Sequence, residues 1–369
     1  MNNFTYAAVL LNAIRAPYGI FKKLCENYEP DELFKGEKFW EELGLNQNHQ
    51  LKLSGLIIND WAKREIDNVK KFNARFITAN EIDYPAKLKD LSDPPIGLYV
   101  KGGGEKNILL PSVAVVGTRK CSDYARNTAM NIAKALAQKN ITVISGGARG
   151  IDTAGHRGAL SEDGVTIAVF GTGIDKVYPT ENRDLFSRIV ERGAIISEFP
   201  MGTGGESWHF PERNRIIVGM ASRVVVVESP DGGGAMLTAR AALELGREVW
   251  SVPGRITDDV CRGSNQLFNE GAKALTGIQD FIEKISGTHE QFSLNFDEYS
   301  EPSTKPQSAP ALSDNEKIIY SLLQRQGGRL ADEIVLESGL DFMTVQEALM
   351  NLAAEGLIID SSGRFSVTA

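Results

Sequence analysis

The 369-residue sequence contains few cysteines and no long apolar run. Three cysteines, Cys25, Cys121 and Cys261, are too few and too far apart for a disulfide framework or a metal-binding knuckle, which predicts reduced structural thiols. No apolar run reaches the ~18 residues that a membrane-spanning helix needs, and no basic leader precedes an apolar stretch. We therefore expect a cytoplasmic protein without a membrane partner.

The sequence also lacks any overall excess of basic charge. Its formal net charge is −8, but residues 1–110 and 111–285 are each neutral, so residues 286–369 carry the whole excess. A neutral region can still bind phosphates if its basic side chains converge on one face, because the local potential matters more than the sum. The net charge therefore does not exclude nucleic acid as a partner.

Common nucleotide-binding signatures are missing from the place where they would be expected. The stretch "VAVVGTRKCSDYARN" (113–127) contains an apolar strand, a glycine turn and a helix start, but neither GxGxxG nor GxxxxGK[ST]. A nicotinamide-dependent oxidoreductase is disfavoured for the same reason. The turn after this strand therefore lacks the signature of a mononucleotide or dinucleotide site, and a glycine here can also simply make a tight turn.

Near-continuous apolar runs alternate with helix patterns through the middle of the chain. The runs lie at 113–116, 141–144, 165–170, 194–197, 223–228 and 248–252. Such runs are typical of parallel strands that helices cover on both faces. Between the first two runs, Ser122 is predicted to cap a helix with Ala129, Ile132 and Leu136 on its apolar face. We therefore predict an α/β fold with an extended Rossmann-like parallel sheet at 111–285.

Smaller modules are predicted on both sides of this domain. Residues 1–75 contain short helix patterns, and residues 76–110, with two prolines in a row and a triple glycine, are predicted to be a connecting segment. Residues 286–313 are rich in proline and polar side chains, which predicts a linker. Residues 314–369 show three helix patterns and a hairpin with a Ser-Ser-Gly turn, the pattern of a winged helix.

Glycine-rich turns follow the predicted strands at their carboxyl ends, where open parallel sheets bind ligands. Such turns can aim backbone N–H groups outward beside a helix start, and these groups bind anions. Basic side chains lie near the same edge, which predicts several phosphate sites in a row. The predicted phosphate contacts in these turns are Gly117, Thr118, Arg119, Ser145, Gly146, Gly147, Arg149, Gly171, Thr172, Gly173 and Lys176.

The segment "WHFPERNR" (208–215) adds two aromatic side chains and two arginines. Unstacked bases rest on aromatic rings beside arginines. This pattern predicts Phe210, Arg213, Asn214 and Arg215 as further DNA contacts. The alternative is that Trp208 and Phe210 pack in the core while the arginines begin a solvated helix.

An ordered series of motifs resembles a known family over about residues 80–280. The motifs are "VAVVGTRKCSDYARN", "VISGGARGIDTAGHRGAL", "TIAVFGTGIDKVYPTEN", "FPERNRIIVGMASRVVVVES", "TARAALELGREVWSVPG" and "GSNQLFNEGAKAL". Together they resemble the DNA-processing protein A family, DprA, also called Smf. The resemblance implies a non-enzymatic homodimer, without metal or cofactor, that binds and protects single-stranded DNA and loads the recombinase RecA during natural transformation and recombination.

The resemblance also assigns residues and modules. It implies that the family's G-[ST]-R motif is residues 117–119, that its second phosphate loop is residues 145–147, that its basic residue before "YP" is Lys176, and that its FPxRNR motif is residues 210–215. It implies a sterile-alpha-motif-like or helix-hairpin-helix-like module before the sheet and a winged helix after it. A dimer contact is expected in residues 265–278, predicted as helical, and the alternative is that its apolar side chains lie in the core. These side chains are Leu267, Phe268, Leu275 and Ile278.

The two flanking modules depart from the family's pattern. Residues 17–19, Pro-Tyr-Gly, lack the two-glycine hairpin of a DNA-binding helix-hairpin-helix. Residues 314–369 have a net charge of −5, which favours protein contacts over phosphate contacts. Their candidate recognition helix, "TVQEALMNLAAEG", contains no Lys or Arg, so a transcription regulator that reads duplex DNA is disfavoured.

A nucleotide phosphoribohydrolase is the main enzymatic alternative. Cleavage of a glycosidic bond needs a carboxylate beside the sugar. The loop at 230–238 resembles the loop of that enzyme family, but Ala235 and Thr238 replace its threonine and glutamate. Glu198, Asp175 and His156 are not paired at a diagnostic spacing, so we expect them to form structural hydrogen bonds.

Overall fold

The computed structural model describes residues 3–102, 107–286, 313–326, 329–354, 357–361 and 364–367. The chain divides into two compact units, Met1–Leu294 and Asn295–Ala369. The predicted linker at 286–313 lies, except for its two end residues, outside the described residues. In the described ranges, no helix is both long and apolar enough to cross a membrane.

Five helices begin the first unit. Leu10 and Leu11 of the first helix belong to the same apolar core as Ile196 and Val224 of the central sheet. The N-terminal helices therefore pack on the sheet domain and share its core. They are α1 (Asn3–Ala13), α2 (Tyr18–Asn27), α3 (Glu37–Leu43), α4 (Gln47–Ile58) and α5 (Trp61–Lys71).

A nine-stranded sheet forms the centre of the first unit. Its strands are β1 (Arg75–Thr78), β2 (Gly97–Gly102), β3 (Ser112–Val116), β4 (Thr142–Ser145), β5 (Thr166–Phe170), β6 (Ala194–Ser197), β7 (Arg223–Val226), β8 (Glu248–Ser251) and β9 (Lys273–Ala274). Their order across the sheet is β1-β2-β6-β5-β4-β3-β7-β8-β9. The strands predicted from the six apolar runs are present, and they pair in parallel.

The segment predicted to connect the first helices to the sheet contributes two strands of its own. β1 and β2 pair with each other antiparallel, and β2 pairs antiparallel with β6. Between prolines and glycines, apolar runs this short cannot be told from a loop by their pattern alone. Residues 75–102 therefore extend the sheet at one edge.

Helices cover both faces of the sheet. The start of α6 is capped as predicted, because the Ser122 hydroxyl oxygen accepts a hydrogen bond from Ala125 N at 3.1 Å. The predicted apolar face of α6, with Ala129, Ile132 and Leu136, is buried. The helices are α6 (Asp123–Gln138), α7 (Ile151–Ser161), α8 (Arg183–Arg192), α9 (His209–Met220), α10 (Gly234–Glu244), α11 (Arg262–Gln266) and α12 (Ile278–Ser286).

Residues 265–278 do not form the helix that was predicted to carry a dimer contact. After α11 the chain makes a 3₁₀ turn over Leu267–Glu270 and then adds β9 to the sheet. Leu267 and Leu275 are 0% and 4% exposed and lie in the core of their own chain. Phe268 and Ile278 are half-buried. The prediction that Leu267 and Leu275 form a dimer contact is wrong, because side chains buried in their own core leave no surface for a second copy.

The second unit contains three helices and a small antiparallel sheet. Its helices are α13 (Asp314–Gln326), α14 (Ala331–Ser338) and α15 (Phe342–Ala354), and its strands are β10 (Arg329–Leu330), β11 (Ile358–Ser361) and β12 (Arg364–Val367). The strand order is β10-β12-β11. The predicted helices and hairpin strands are present, while the turn residues 362 and 363 lie outside the described residues.

His156 on α7 is a fully buried imidazole. Its Nδ1 lies 2.7 Å from the Thr166 hydroxyl oxygen. Because that hydroxyl donates its own proton to Val143 O at 2.8 Å, Nδ1 must be the donor to Thr166. The other ring nitrogen is buried without a hydrogen-bond partner in the described structure. Burial, with a smaller effect of Arg213, lowers the pKa of His156 to about 3, so the ring is neutral.

We predict that acid weakens the fold through His156. The unfolded residue takes up a proton below its ordinary pKa of about 6.5, whereas the folded residue stays neutral until about pH 3. The free energy of unfolding should therefore fall by about 1.4 kcal/mol per pH unit in that window. In urea unfolding, the stability advantage of the wild type over His156→Asn, which keeps a donor for Thr166, should narrow between about pH 6 and pH 4. A pH-independent advantage would contradict the prediction.

Candidate nucleic-acid interface

A cleft opens at the carboxyl ends of β3, β4 and β5. Arg119 follows β3, Arg149 follows β4, Thr172 follows β5, and Phe210 lies in the first turn of α9. This is where an open parallel sheet binds its ligands. The cleft is small, with a volume of about 30 Å³, well below the roughly 300–1,000 Å³ of pockets that enclose drug-sized ligands. It can therefore receive part of a phosphate group but cannot enclose a base.

The cleft brings together part of the predicted site. The predicted residues that line it are Arg119, Gly146, Arg149, Gly171, Thr172, Phe210 and Arg213. Tyr178 also lines it, although the sequence reasoning did not single out this side chain. The predicted residues outside its lining are Gly117, Thr118, Ser145, Gly147, Gly173, Lys176, Asn214 and Arg215.

Arg119 is an exposed cation of this cleft. Among the described residues, no carboxylate lies within ion-pair distance of its guanidinium. The guanidinium carbon lies 5.3 Å from the centre of the Phe210 ring. The ring of Tyr178, which is 49% exposed, lies 5.5 Å from the Phe210 ring, centre to centre. An arginine without a carboxylate partner can bind a phosphate while rings beside it take up a base.

The loop after β3 is held in place by Glu228. The main-chain oxygen of Glu228 accepts a hydrogen bond from Thr118 N at 2.8 Å. Its carboxylate accepts hydrogen bonds from Ser122 N at 2.8 Å and from the Ser122 hydroxyl at 2.7 Å. A β carbon at Gly117 would lie 2.9 Å from the same main-chain oxygen, so only glycine fits there. The sequence analysis did not identify Glu228. An acidic residue at the end of an apolar strand could have indicated that it has an internal hydrogen-bonding role.

The loop after β4 turns its amide groups inward. Gly146 N and Ala148 N donate hydrogen bonds to the carboxylate of Asp152 at 3.1 and 3.2 Å. The Ser145 hydroxyl donates to a main-chain oxygen of β3 at 2.7 Å. An internal carboxylate therefore takes the amide groups that were predicted to cradle a phosphate. The prediction that Gly146 N binds a phosphate is therefore wrong.

The loop after β5 is also closed by internal hydrogen bonds. Gly173 N donates to Thr203 O at 3.0 Å, and the Thr172 hydroxyl donates to Lys176 O at 3.1 Å. The side chain of Lys176 remains 50% exposed, with its ammonium 3.6 Å from the Asp175 carboxylate. This loop therefore offers a side-chain cation.

Arg149 is another exposed cation at this edge. Its guanidinium lies 2.6 Å from the carboxylate of Glu181, and the two side chains are 64% and 55% exposed. An ion pair between side chains as exposed as these contributes little to stability. Arg149 can therefore exchange its carboxylate partner for a phosphate at small cost.

Arg213 is buried, so the prediction that it contacts a DNA phosphate is wrong. Its side chain is 4% exposed and donates hydrogen bonds to Gly146 O at 2.6 Å and to Val169 O. Burial lowers the pKa of Arg213 to about 10, which leaves it charged at neutral pH. A β carbon at position 146 would lie 2.4 Å from the Arg213 guanidinium. Any residue other than glycine would therefore clash with Arg213 at this position. Arg213 joins the ends of β4 and β5 from inside the protein.

Arg215 also has internal partners in place of the predicted phosphate. Arg215 donates hydrogen bonds to the Glu198 carboxylate at 2.5 Å and to Asp93 O at 2.9 Å. Asn214 accepts a hydrogen bond from the Arg213 Nε at 3.2 Å. The segment enters α9 at the edge of the sheet, and its Phe210 and Arg213 line the cleft.

The side chains that were considered as catalytic groups have internal partners. Glu198 pairs with Arg215. Asp175 accepts a hydrogen bond from Gly202 N at 2.8 Å. His156 is fully buried beside β5. These contacts are the structural hydrogen bonds that were expected from the sequence.

Comparisons with known proteins agree with this architecture. The profile of the family described as DNA recombination-mediator protein A matches residues 75–286. A putative DNA processing protein DprA of Mycobacterium tuberculosis is 32% identical over 326 residues, which are 83% of this chain and 82% of that protein. Protein Smf of Synechocystis is 38% identical over 216 residues, which are 58% of this chain and about half, 54%, of that protein.

Two solved structures resemble the fold. The X-ray structure of DprA from Streptococcus pneumoniae has a TM-score of 0.66 and 30% identity, and the match covers 77% of this chain and 98% of that one. DprA from Helicobacter pylori, described for its unique single-stranded DNA binding mode, has a TM-score of 0.53 and 29% identity, with 58% and 97% covered. The predicted α/β fold with a Rossmann-like core is confirmed.

Proposed function

Because the chain belongs to the DNA recombination-mediator protein A family, we propose that it binds single-stranded DNA at the cleft beyond β3, β4 and β5 and loads RecA onto that strand. The main evidence for the position of this site is Arg119. It is exposed, has no carboxylate partner among the described residues, and lies beside the Phe210 ring. We further propose that the protein protects incoming DNA during natural transformation, acts as a homodimer, and has no catalytic activity, metal or cofactor.

Phosphates are bound by side chains in this proposal. Arg119, Arg149 and Lys176 follow three strands that neighbour one another in the sheet. Arg119 and Arg149 line the cleft and Lys176 lies outside its lining, so the three cations can act as separate anchors for successive phosphates. Several modest sites of this kind suit an extended strand, whereas a free nucleotide needs one tight cradle for its phosphates. ATP and NAD should therefore bind weakly.

Aromatic rings make the proposed site selective for single strands. Phe210 and Tyr178 form an adjacent pair at the cleft. A base can rest on such rings only when its faces are free, and duplex DNA hides these faces in its stack. A duplex could make the same phosphate contacts, but its bases could not stack on these rings. We therefore expect it to bind more weakly than a single strand.

The second unit is proposed to contact proteins. The net charge of −5 over residues 314–369 repels phosphates. Met343 and Met350 of α15 are 74% and 71% exposed, and flexible methionine side chains adapt well to apolar partners. These observations support the preference for protein contacts that the sequence indicated.

We predict that single-strand affinity falls steeply with salt. If three cations each neutralise one phosphate, log K against log salt should have a slope of about −2, from about −0.7 per phosphate. Fluorescence anisotropy with a labelled dT oligomer at several salt concentrations measures this slope, and a duplex of the same length is the control. Affinity that does not depend on salt, or that favours the duplex, would contradict the proposal.

A further inference from the structure

A second cavity lies beside the start of α9, where His209 forms part of its lining. It is lined by Asn12 and Arg15 at the end of α1, by Glu198 after β6, and by Trp208. Its volume is about 240 Å³. Pockets for drug-sized ligands measure roughly 300–1,000 Å³, so this cavity suits a flat nucleobase and not a whole nucleotide.

Stacked side chains form one wall of the cavity. Trp208 is 47% exposed, and the guanidinium carbon of Arg15 lies 4.5 Å from the centre of its ring. The His209 ring lies 4.0 Å from the Trp208 ring and 4.2 Å from the Phe199 ring, centre to centre. Nucleobases stack on aromatic rings and on arginine planes alike. This wall therefore fits a base.

Glu198 supplies a hydrogen-bond acceptor to the same cavity. One of its carboxylate oxygens accepts from Arg215 at 2.5 Å, and no described residue donates to the other. Its main-chain oxygen accepts from Asn12 Nδ2 at 2.8 Å, which ties it to α1. Burial raises the pKa of Glu198 while Arg215 opposes the shift, so a ligand with N–H donors would stabilise the carboxylate.

We propose that this cavity is a nucleobase subsite that receives a guanine of the bound single strand. Guanine presents two adjacent donors, N1–H and N2–H₂, which match the geometry of a carboxylate. The other bases place an acceptor beside each donor, which a carboxylate repels. The subsite is within reach of the strand because His209 lines the cavity and the next residue, Phe210, lines the Arg119 cleft. This inference rests on the proposed single-strand binding.

The first test compares short dT oligomers that carry one dG at a different position in each. We expect one position at which dG tightens binding to the full chain about tenfold. Deoxyinosine at that position lacks the 2-amino group and should keep only part of the gain. Equal affinity for all oligomers would overturn the guanine subsite alone, whereas no binding of any oligomer would overturn the proposed function.

Two variants test whether the cavity causes this preference. Glu198→Gln replaces one acceptor by a donor, and Trp208→Leu removes the stacking ring, so each should bring the ratio of dG and dT affinities towards one. Phe34→Leu changes an aromatic side chain outside the cavity that is also 47% exposed, and it should keep the wild-type ratio. Thermal melting checks folding, and if Glu198→Gln does not fold, Trp208→Leu alone decides. A wild-type ratio in a folded Trp208→Leu variant would overturn the inference.

Competition by free dGMP tests whether the cavity binds a base within the DNA strand or a free nucleotide. Because the cavity lacks room for a whole nucleotide, dGMP should compete with the dG oligomer only weakly. Tight binding of dGMP that Trp208→Leu abolishes would show a nucleotide site and overturn the assignment to a base of the strand.

Discussion

Replacing Arg213 by methionine is expected to lower the free energy of unfolding by about 3–5 kcal/mol. The main-chain oxygens of Gly146 and Val169 would lose a charged donor inside the protein. Asp152, which is 7% exposed, would lose the nearby positive charge that lowers its pKa. Methionine fills similar space but donates no hydrogen bond, so these groups would stay buried without compensation.

Urea unfolding of the first unit measures the effect, and Arg192→Met is the matched control. Arg192 lies at the end of α8, 55% exposed, and pairs with Asp163. Its replacement should cost less than about 1 kcal/mol, because exposed ion pairs contribute little. If Arg213→Met were no more destabilising than the control, the buried arginine would not hold β4 and β5 together.

Replacing Arg119 by alanine is expected to weaken single-strand binding by about 1.5–3 kcal/mol, or roughly 10- to 150-fold. The substitution removes a bidentate phosphate donor, and the salt slope should become shallower by about 0.7. Because Arg119 is exposed and carries no described ion pair, the free energy of unfolding should stay near the wild-type value. Arg119→Lys should restore the charge but only part of the affinity.

Anisotropy titrations with a dT oligomer measure this loss, and Arg192→Ala provides the control. That variant changes the net charge equally, but it lies near the amino end of β6, away from the cleft. It should bind with nearly wild-type affinity. Wild-type binding by a folded Arg119→Ala protein would move the proposed site away from the cleft.

Local patterns in the sequence were sufficient to predict the core of the fold. The strand β3 could be predicted because its residues are apolar without interruption, and both of its faces are buried. The start of α6 could be predicted because a serine cap acts on amides within the same turn. The edge strands β1 and β2 could not, because short runs beside prolines and glycines have no distinct period.

The chemistry of the strand ends depended on hydrogen-bond partners that the glycine turns themselves do not specify. Glycine turns predict outward amide groups, but Asp152 takes two of these amides after the chain has turned into α7. Arg119 and Arg213 are the same residue type in two motifs of one series, yet one is exposed and the other is 4% exposed. The direction of a side chain follows from packing, which residue type alone does not specify.

The sequence by itself determined the order of the parallel strands β3 to β8 along the chain, the position of the cleft at the strand ends, and the cations that follow the strands. These features depend on periodicity, caps and turns, which act over a few residues. Only the tertiary structure decided which arginines reach solvent, that Leu267 and Leu275 belong to the core, and that α1 closes a cavity beside Glu198. Asn12 and Glu198 are 186 residues apart, and their hydrogen bond forms only because burial of apolar surface packs the N-terminal helices on the sheet.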